Sequence, residues 1–412
     1  MKGGVSTRAY ATDDSMLRHC ALALALVATL AAPALARRSY TVRVPKFEVP
    51  AARNREICVF VPLKKLKKPM DIGEVRIINQ GGTPLFATHH LIVYAYHGTL
   101  DSVAGLEGKV IDDTACLNFG SGKPSDLQIV ATSQGPDTRW LTPTGTALEI
   151  QPITGSSSKK VIGLVLNSHW INGDSVPHMA RAKVTFVTKK AKEVKRQLKP
   201  IFEVVAYGFI NVPPGGVKTV GWTWGPGRQN LGGFLGGSSY PTGDACVTML
   251  TSHMHKRGIL FTTTLIDKAG NRTLLESNTV YTDPPARSYS PPMLVTSGEM
   301  LQYQCTHDNK TNTKLGCEEQ PGVTPGESVI DRLTHGGSFT NFNGAAKNCT
   351  QQGPDAAECQ PTDPKYPGRT FTGNCVPANL VFGFTSEDDM CILPGYYYDA
   401  TPNAAPGQEC TL

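Results

Sequence analysis

The stretch TSHMHKRG, Thr251–Gly258, sets His253 and His255 one residue apart. On a β-strand, residues i and i+2 share a face and lie about 6–7 Å apart. Two imidazoles so placed can converge on one metal ion through bonds of about 2 Å. A second stretch, ATHHLIVYAY, sets His89 and His90 side by side. Adjacent strand residues face opposite ways, so both rings reach one ion only at a strand end or a bulge, or through different ring nitrogens. His169 closes the apolar run LVLNSHWIN, with Asn167 two residues before it. Met390 follows Glu387, Asp388 and Asp389, acids that predict a loop near solvent, and it precedes Cys391. A thioether beside imidazoles favours copper(I) over zinc or magnesium.

The elements that must position these residues read as strands. The chain has 412 residues, enough for about two domains. Charged residues are 18% and hydrophobic residues 40%, a globular rather than a disordered balance. Gly and Pro are abundant, at 41 and 30, with short apolar runs between them, which favours strands and turns over long helices. EVRIINQ, HLIVYAY, KKVIGLVLNSHWIN and ARAKVTFVT are β-branched or alternating runs in a first segment, residues 37–188. Lys189–Pro200 is basic and poor in large apolar residues, which predicts a linker at residues 189–200, with a helical turn allowed. A second strand-rich segment, residues 201–412, follows. Within it, residues 313–377 turn rich in Gly, Pro, Asn and Thr and hold four cysteines, so they read as a disulfide-bound insertion. The expected fold is all-β: two tandem antiparallel β-sandwich, jelly-roll-like domains.

The N-terminus has export architecture. A short basic start at Arg18 precedes the apolar run Ala21–Ala32, and Ala34 and Ala36 offer an A-x-A cleavage site. Residues 1–36 thus read as a signal peptide with an upstream extension, and translation could start at Met1 or Met16. The run is too short for a comfortable membrane span. Of 11 cysteines, Cys20 lies in the signal, leaving ten in the mature chain, an even set that reads as disulfides in a secreted or periplasmic protein. No C-x-x-C pair occurs, which argues against a cysteine zinc site. The basic runs Leu63–Lys68 and Lys189–Lys199 lack aromatic interleaving or an amphipathic stripe, so they read as solvated faces rather than nucleic-acid or lipid sites.

Taken in order, the segments THHLIVYAY, LVLNSHWING, NVPPGGVKTV, SHMHKRG, YQCTHDN and VFGFTSEDDMC resemble the copper type II, ascorbate-dependent monooxygenases, the family of peptidylglycine α-hydroxylating monooxygenase and dopamine β-monooxygenase. The resemblance spans residues from about 55 to 400, apart from the insertion. It implies two β-sandwich domains with one copper ion each. His89, His90 and His169 would hold an electron-storing copper. His253, His255 and Met390 would hold the oxygen-binding, catalytic copper. The partners implied are O₂, ascorbate or a similar one-electron reductant, and a small-molecule or peptide substrate hydroxylated at C–H. Cys58 would pair with Cys116, Cys305 with Cys391 and Cys246 with Cys410, leaving three possible pairings among Cys317, Cys349, Cys359 and Cys375.

The departures concern substrate. Peptide-hydroxylating members carry a carboxylate-gripping Arg where this chain has Thr251. A substrate-contacting Tyr is replaced by Pro394, with Tyr396 nearby. A non-catalytic copper-storage protein on the same fold is the alternative, and an adhesion protein with incidental histidines is a third reading. His97, His178, His307 and His335 have no counterpart in the resemblance, and His307 and His335 are expected at the surface. Asn271, Asn309 and Asn348 head glycosylation sequons.

Overall fold

The alternating and β-branched runs form strands throughout the computed structural model. It describes residues 37–81, 86–113, 116, 119–120, 126–155, 159–228, 240–282, 284–319, 349, 359, 370–383 and 387–412. The signal segment 1–36, most of the insertion, His335 and Asn348 lie outside the described residues.

In the first half, the strands longer than two residues are β1 (Ser39–Val49), β2 (Asn54–Leu63), β3 (Met70–Gln80), β4 (Phe86–Tyr96), β5 (Leu127–Ser133), β6 (Asp137–Leu141), β7 (Thr146–Ile150), β8 (Lys160–Asn172) and β9 (His178–Thr188). β10 (Arg196–Glu203) leads into β11 (Val217–Trp224), β12 (Ala245–Leu250), β13 (His253–Met254), β14 (Gly258–Ile266), β15 (Arg272–Asn278), β16 (Arg287–Val295), β17 (Met300–Asp308) and β18 (Cys391–Asp399).

One sheet runs through both halves in the order β1-β9-β3-β7-β10-β18-β12-β16. Each half covers part of it with a sheet of its own. In the first half the cover is β2-β8-β4-β5; in the second it is β11-β17-β14-β15. Two cores result. The first gathers Val42, Ile57, Ile72, Val93, Leu164, Trp170 and Phe186. The second gathers Ile201, Trp224, Val247, Phe261, Leu301 and Tyr303. Residues 39–412 form one compact unit.

β10 corrects the linker expectation. Ala191–Glu193 is a short 3-10 turn, but Arg196–Glu203 is a strand. Leu198 and Pro200 point inward while Gln197 is exposed, an alternation that the surrounding positive charge masks. β10 pairs in parallel with β7 and antiparallel with β18. The sheet is therefore not purely antiparallel, and the parallel step falls where the two halves join.

β18 is buried along its length up to Tyr398 because it stands between the cores. Tyr397 enters the second core, whereas Tyr396 and Tyr398 enter the first. The period-2 alternation of a strand explains this split.

Disulfides join Cys58–Cys116, Cys246–Cys410 and Cys305–Cys391. Those of the insertion join Cys317–Cys359 and Cys349–Cys375. The stems of the insertion, Leu315–Glu319 and Phe371–Pro377, pair antiparallel. No helix among the described residues is long and apolar enough to cross a membrane.

Candidate metal centre

β8 and β4 are neighbours in the first cover sheet, and His169 lies directly across from His90. The next ladder pair is Trp170 with Thr88, so His89 is an extra residue at a bulge. A bulge re-aims a side chain that strict alternation would send to the opposite face. It brings the His89 and His90 rings to 5.2 Å between centroids, and His89 and His169 to 5.0 Å. Trp170 secures this end of β8. It is fully buried, stacks on Phe86 at 5.1 Å and donates from Nε1 to the Ser168 hydroxyl at 2.8 Å.

The second half supplies His253 and His255 where the chain crosses from β12 in the shared sheet to β14 in the cover sheet. β13 pairs with β18, His253 opposite Ile392 and Met254 opposite Cys391. Beyond this pair the ladder stops, and Asp389 Oδ1 accepts from the backbone N–H groups of both His255 and Met390. The His253 and His255 rings are 5.2 Å apart.

The histidines of the two halves meet. The ring of His89 lies 5.0 Å from that of His255 and 6.0 Å from that of His253. Two triads therefore share a member: His89, His90 and His169 form one, and His89, His253 and His255 the other. In each, candidate donor atoms lie within 4.8 Å of one another.

Residues behind the rings set their tautomers. His90 Nε2 lies 2.8 Å from Asn167 Oδ1, whose amide is oriented by donating from Nδ2 to Glu56 Oε1 at 2.9 Å. The carbonyl oxygen can only accept, so Nε2 is the donor and Nδ1 is the nitrogen left to face a metal ion. His253 Nδ1 donates to Gln134 Oε1 at 2.7 Å, and His255 Nδ1 to the Asp388 carbonyl at 3.2 Å. Both leave Nε2 free. Gln134 follows β5, so the first half orients a ring of the second.

Within this cluster of five histidines, three buried ring nitrogens, His89 Nε2, His169 Nδ1 and His255 Nε2, have no hydrogen-bond partner. Leaving such atoms unmatched is costly unless something binds them. Burial, followed by repulsion among the rings, holds His89 and His253 well below the ordinary histidine value. Burial pushes His169 to about 4 against the opposing pull of Glu56. Burial also lowers His255, with Asp389 opposing. Neutral rings with free lone pairs are what a metal ion requires. The Glu56 side chain is only 8% exposed, yet its carboxyl falls to about 2: burial opposes ionisation, and His90 and His169 outweigh it.

Met390 is buried among Val204, Tyr207, Phe382 and Ile392, and the Tyr207 hydroxyl approaches its sulfur at 3.7 Å. The histidines and Met390 fit copper by donor chemistry: borderline imidazoles and one soft thioether. Cys305 and Cys391 lie near His307, but their disulfide bond excludes them as ligands.

Several expectations change. The acidic loop is not near solvent: Asp388 is 4% and Asp389 0% exposed. His307, expected at the surface, is 0% exposed, because β17 buries it against Asp389. Asn309 is equally buried and donates to the Val212 and Ala378 carbonyls, which removes it as a glycosylation acceptor in the folded chain. The Thr251 hydroxyl is occupied by the Pro285 carbonyl at 3.0 Å. Tyr396 faces away from the second core, donating to the Val130 carbonyl at 2.9 Å and stacking on Trp140 at 4.4 Å. Neither is free to replace the missing carboxylate clamp. The sequence reading missed Glu56, Gln134, Tyr207, Asp389 and His307. Of these, only Asp389, which directly precedes Met390, carried a local signal.

No family profile and no curated protein matches this chain. Among solved structures, the crystal structure of the PBSX exported protein XepA is similar at 8% identity, covering 65% of this chain and 86% of that one, with a TM-score of 0.15. The cryo-EM structure of the T=3 Penaeus vannamei nodavirus is similar at 8% identity, covering 74% and 96%, with a TM-score of 0.16. Scores this low carry no argument about function.

Proposed function

We propose that this protein is an exported dicopper monooxygenase that hydroxylates a C–H bond using O₂ and a one-electron reductant such as ascorbate. The supporting observation is the meeting of five histidines from both halves around three unpartnered, buried ring nitrogens. His89, His90 and His169 would hold one ion; His253, His255 and Met390 would hold the other. When bound, copper would supply electron storage at the first site and oxygen activation at the second. The reaction balances as R–H, O₂, two electrons and two protons giving R–OH and water.

The chain's own residues have definable tasks. Asn167 and Glu56 hold the His90 ring with Nδ1 free. Gln134 and the Asp388 carbonyl hold His253 and His255 with Nε2 free. Such outer partners fix ring orientation and are worth about 10–100-fold in metal affinity. Burial keeps His89, His169, His253 and His255 neutral, so metal binding at neutral pH need not displace protons from these rings.

A second reading, copper storage without turnover, is favoured by one observation: Thr251 and Tyr396 are committed to backbone carbonyls, so no substrate clamp stands at those positions. Copper stoichiometry with ascorbate-driven O₂ uptake separates the two. Two bound coppers and O₂ uptake coupled to a hydroxylated product support the enzyme. Two coppers with no turnover on amine, peptide or aromatic C–H substrates support storage, and fewer than two refutes both.

A further inference from the structure

Three consecutive acids precede Met390, and each meets its own basic partner. Glu387 pairs with Lys256 and with Arg257, whose Nη2 lies 3.2 Å from Oε2. Asp388 pairs with Lys314, which is fully buried at the root of the insertion. Asp389 Oδ2 lies 3.2 Å from His307 Nδ1, both residues 0% exposed, in ion-pair range though not aligned for a hydrogen bond. The other oxygen, Asp389 Oδ1, accepts from the backbone N–H of His255 at 3.0 Å and of Met390 at 2.8 Å.

One carboxylate oxygen thus joins two segments far apart in sequence, at the two residues proposed as ligands. The H-x-H turn and the Met390 strand have no hydrogen-bond ladder beyond Met254–Cys391. Asp389 takes over where that ladder stops. Its own backbone is fixed as well: its N–H donates to the Val381 carbonyl at 3.1 Å. The root of the insertion closes the frame, because the Ala378 N–H donates to the Lys314 carbonyl at 2.9 Å while the Lys314 ammonium holds Asp388.

We propose that Asp389, backed by His307, is the positioning residue of the His253–His255–Met390 site: it holds the backbones of His255 and Met390 at one spacing so that imidazole and thioether face the same ion. This rests on the copper reading above and names the group that sets its second site. A buried carboxylate that accepts two backbone N–H bonds on one oxygen and faces an imidazole at 3.2 Å on the other can carry such a role.

The test loads full-length protein with copper(I) and reads sulfur scattering by X-ray absorption, with affinity from chelator competition. Asp389→Ala removes the acceptor. Its second-site affinity falls by about 10–100-fold and the sulfur signal is lost, while the His89–His90–His169 site keeps its copper. Asp389→Asn keeps an acceptor oxygen and retains the sulfur signal. Should Asp389→Ala not fold by circular dichroism, His307→Ala carries the test and weakens the same site alone. Unchanged affinity and sulfur signal in the folded variant overturn the positioning role. Loss of the sulfur signal in Asp389→Asn also overturns it, since an acceptor remains. Absence of sulfur on copper(I) in the unaltered protein refutes the copper assignment itself, a distinguishable result.

Discussion

Replacing Met390 with leucine separates a metal ligand from a packing residue. Met390 is buried among Val204, Tyr207, Phe382 and Ile392, and leucine nearly conserves its volume. Such swaps cost less than about 1.5 kcal/mol, so the copper-free variant should fold and melt close to the parent. The copper-loaded states should differ. His89 belongs to both histidine triads and cannot serve two ions as a terminal ligand at once. With Met390 gone, His253 and His255 can complete a site only by taking His89 from His90 and His169. Stoichiometry should therefore fall from two copper(I) to one. At a hundredfold excess over Kd each ion stabilises the fold by about 2.7 kcal/mol. For the unit Ser39–Leu412, an unfolding entropy of about 2.1 cal/mol/K per residue amounts to about 0.8 kcal/mol/K. The parent should then gain about 7 °C on loading and Met390→Leu about 3.5 °C. Copper(I) titration against a chelator, followed by calorimetry, measures both quantities. A variant that still binds two ions with the full gain in Tm would refute Met390 as a ligand and the reasoning built on the shared His89.

Other perturbations test the surrounding frame. Glu203 is fully buried, and burial raises its carboxyl to about 7 against hydrogen bonds from the Val204 and Val205 backbone. The folded state keeps this proton where the unfolded chain, at about 4.5, releases it, so the contribution is present at low pH and lost as pH rises through about 7. Glu203→Gln should gain on the parent by up to about 3 kcal/mol between these limits in pH-resolved urea melts, and a flat difference would contradict the assigned cause. Removing Cys305–Cys391 as a double alanine variant releases a loop of 86 residues and should cost about 4.5 kcal/mol by chain entropy, measured under oxidising conditions. Tyr207→Phe deletes the hydroxyl 3.7 Å from the Met390 sulfur; copper(I) at that site should tighten by up to about fivefold, the worth of one weak hydrogen bond, and a weakening would assign Tyr207 a supporting role instead. Trp170→Ala should cost about 3–5 kcal/mol and lower copper retention by the His169 triad more than by His253 and His255.

The proximity of the candidate ligands was legible because their spacing carries geometry. H-x-H shares a strand face, and H-H needs a bulge, which the register between β4 and β8 contains at His89. The groups behind the ligands carried no such signal. Glu56 reaches Asn167 across 111 residues and Gln134 reaches His253 across 119, so no local pattern announces either pair. The acids before Met390 misled for a related reason. Charge in a loop predicts solvent unless its partners are known, and Arg257 meets Glu387 across 130 residues while Lys314 meets Asp388 across 74. The basic segment before Pro200 misled in the opposite direction, its two inward side chains outnumbered by exposed and partly exposed polar ones.

The junction between the halves explains why the histidines lie so close. β10 carries the shared sheet across by pairing with β7 on one side and β18 on the other. β18 then sends Tyr396 and Tyr398 into the first core and Tyr397 into the second, so neither core can be completed without it. The Met390 loop enters at the start of this strand, and H-x-H pairs with its first residues. A shared strand holds the second site's elements against the first half, and the hydrogen bond from His253 to Gln134 spans the remaining gap. The distance between the two sets of candidate ligands is therefore set by sheet register rather than by the length of a tether. Lengthening residues 189–195 should leave it unchanged, whereas breaking the β10–β18 pairing should not.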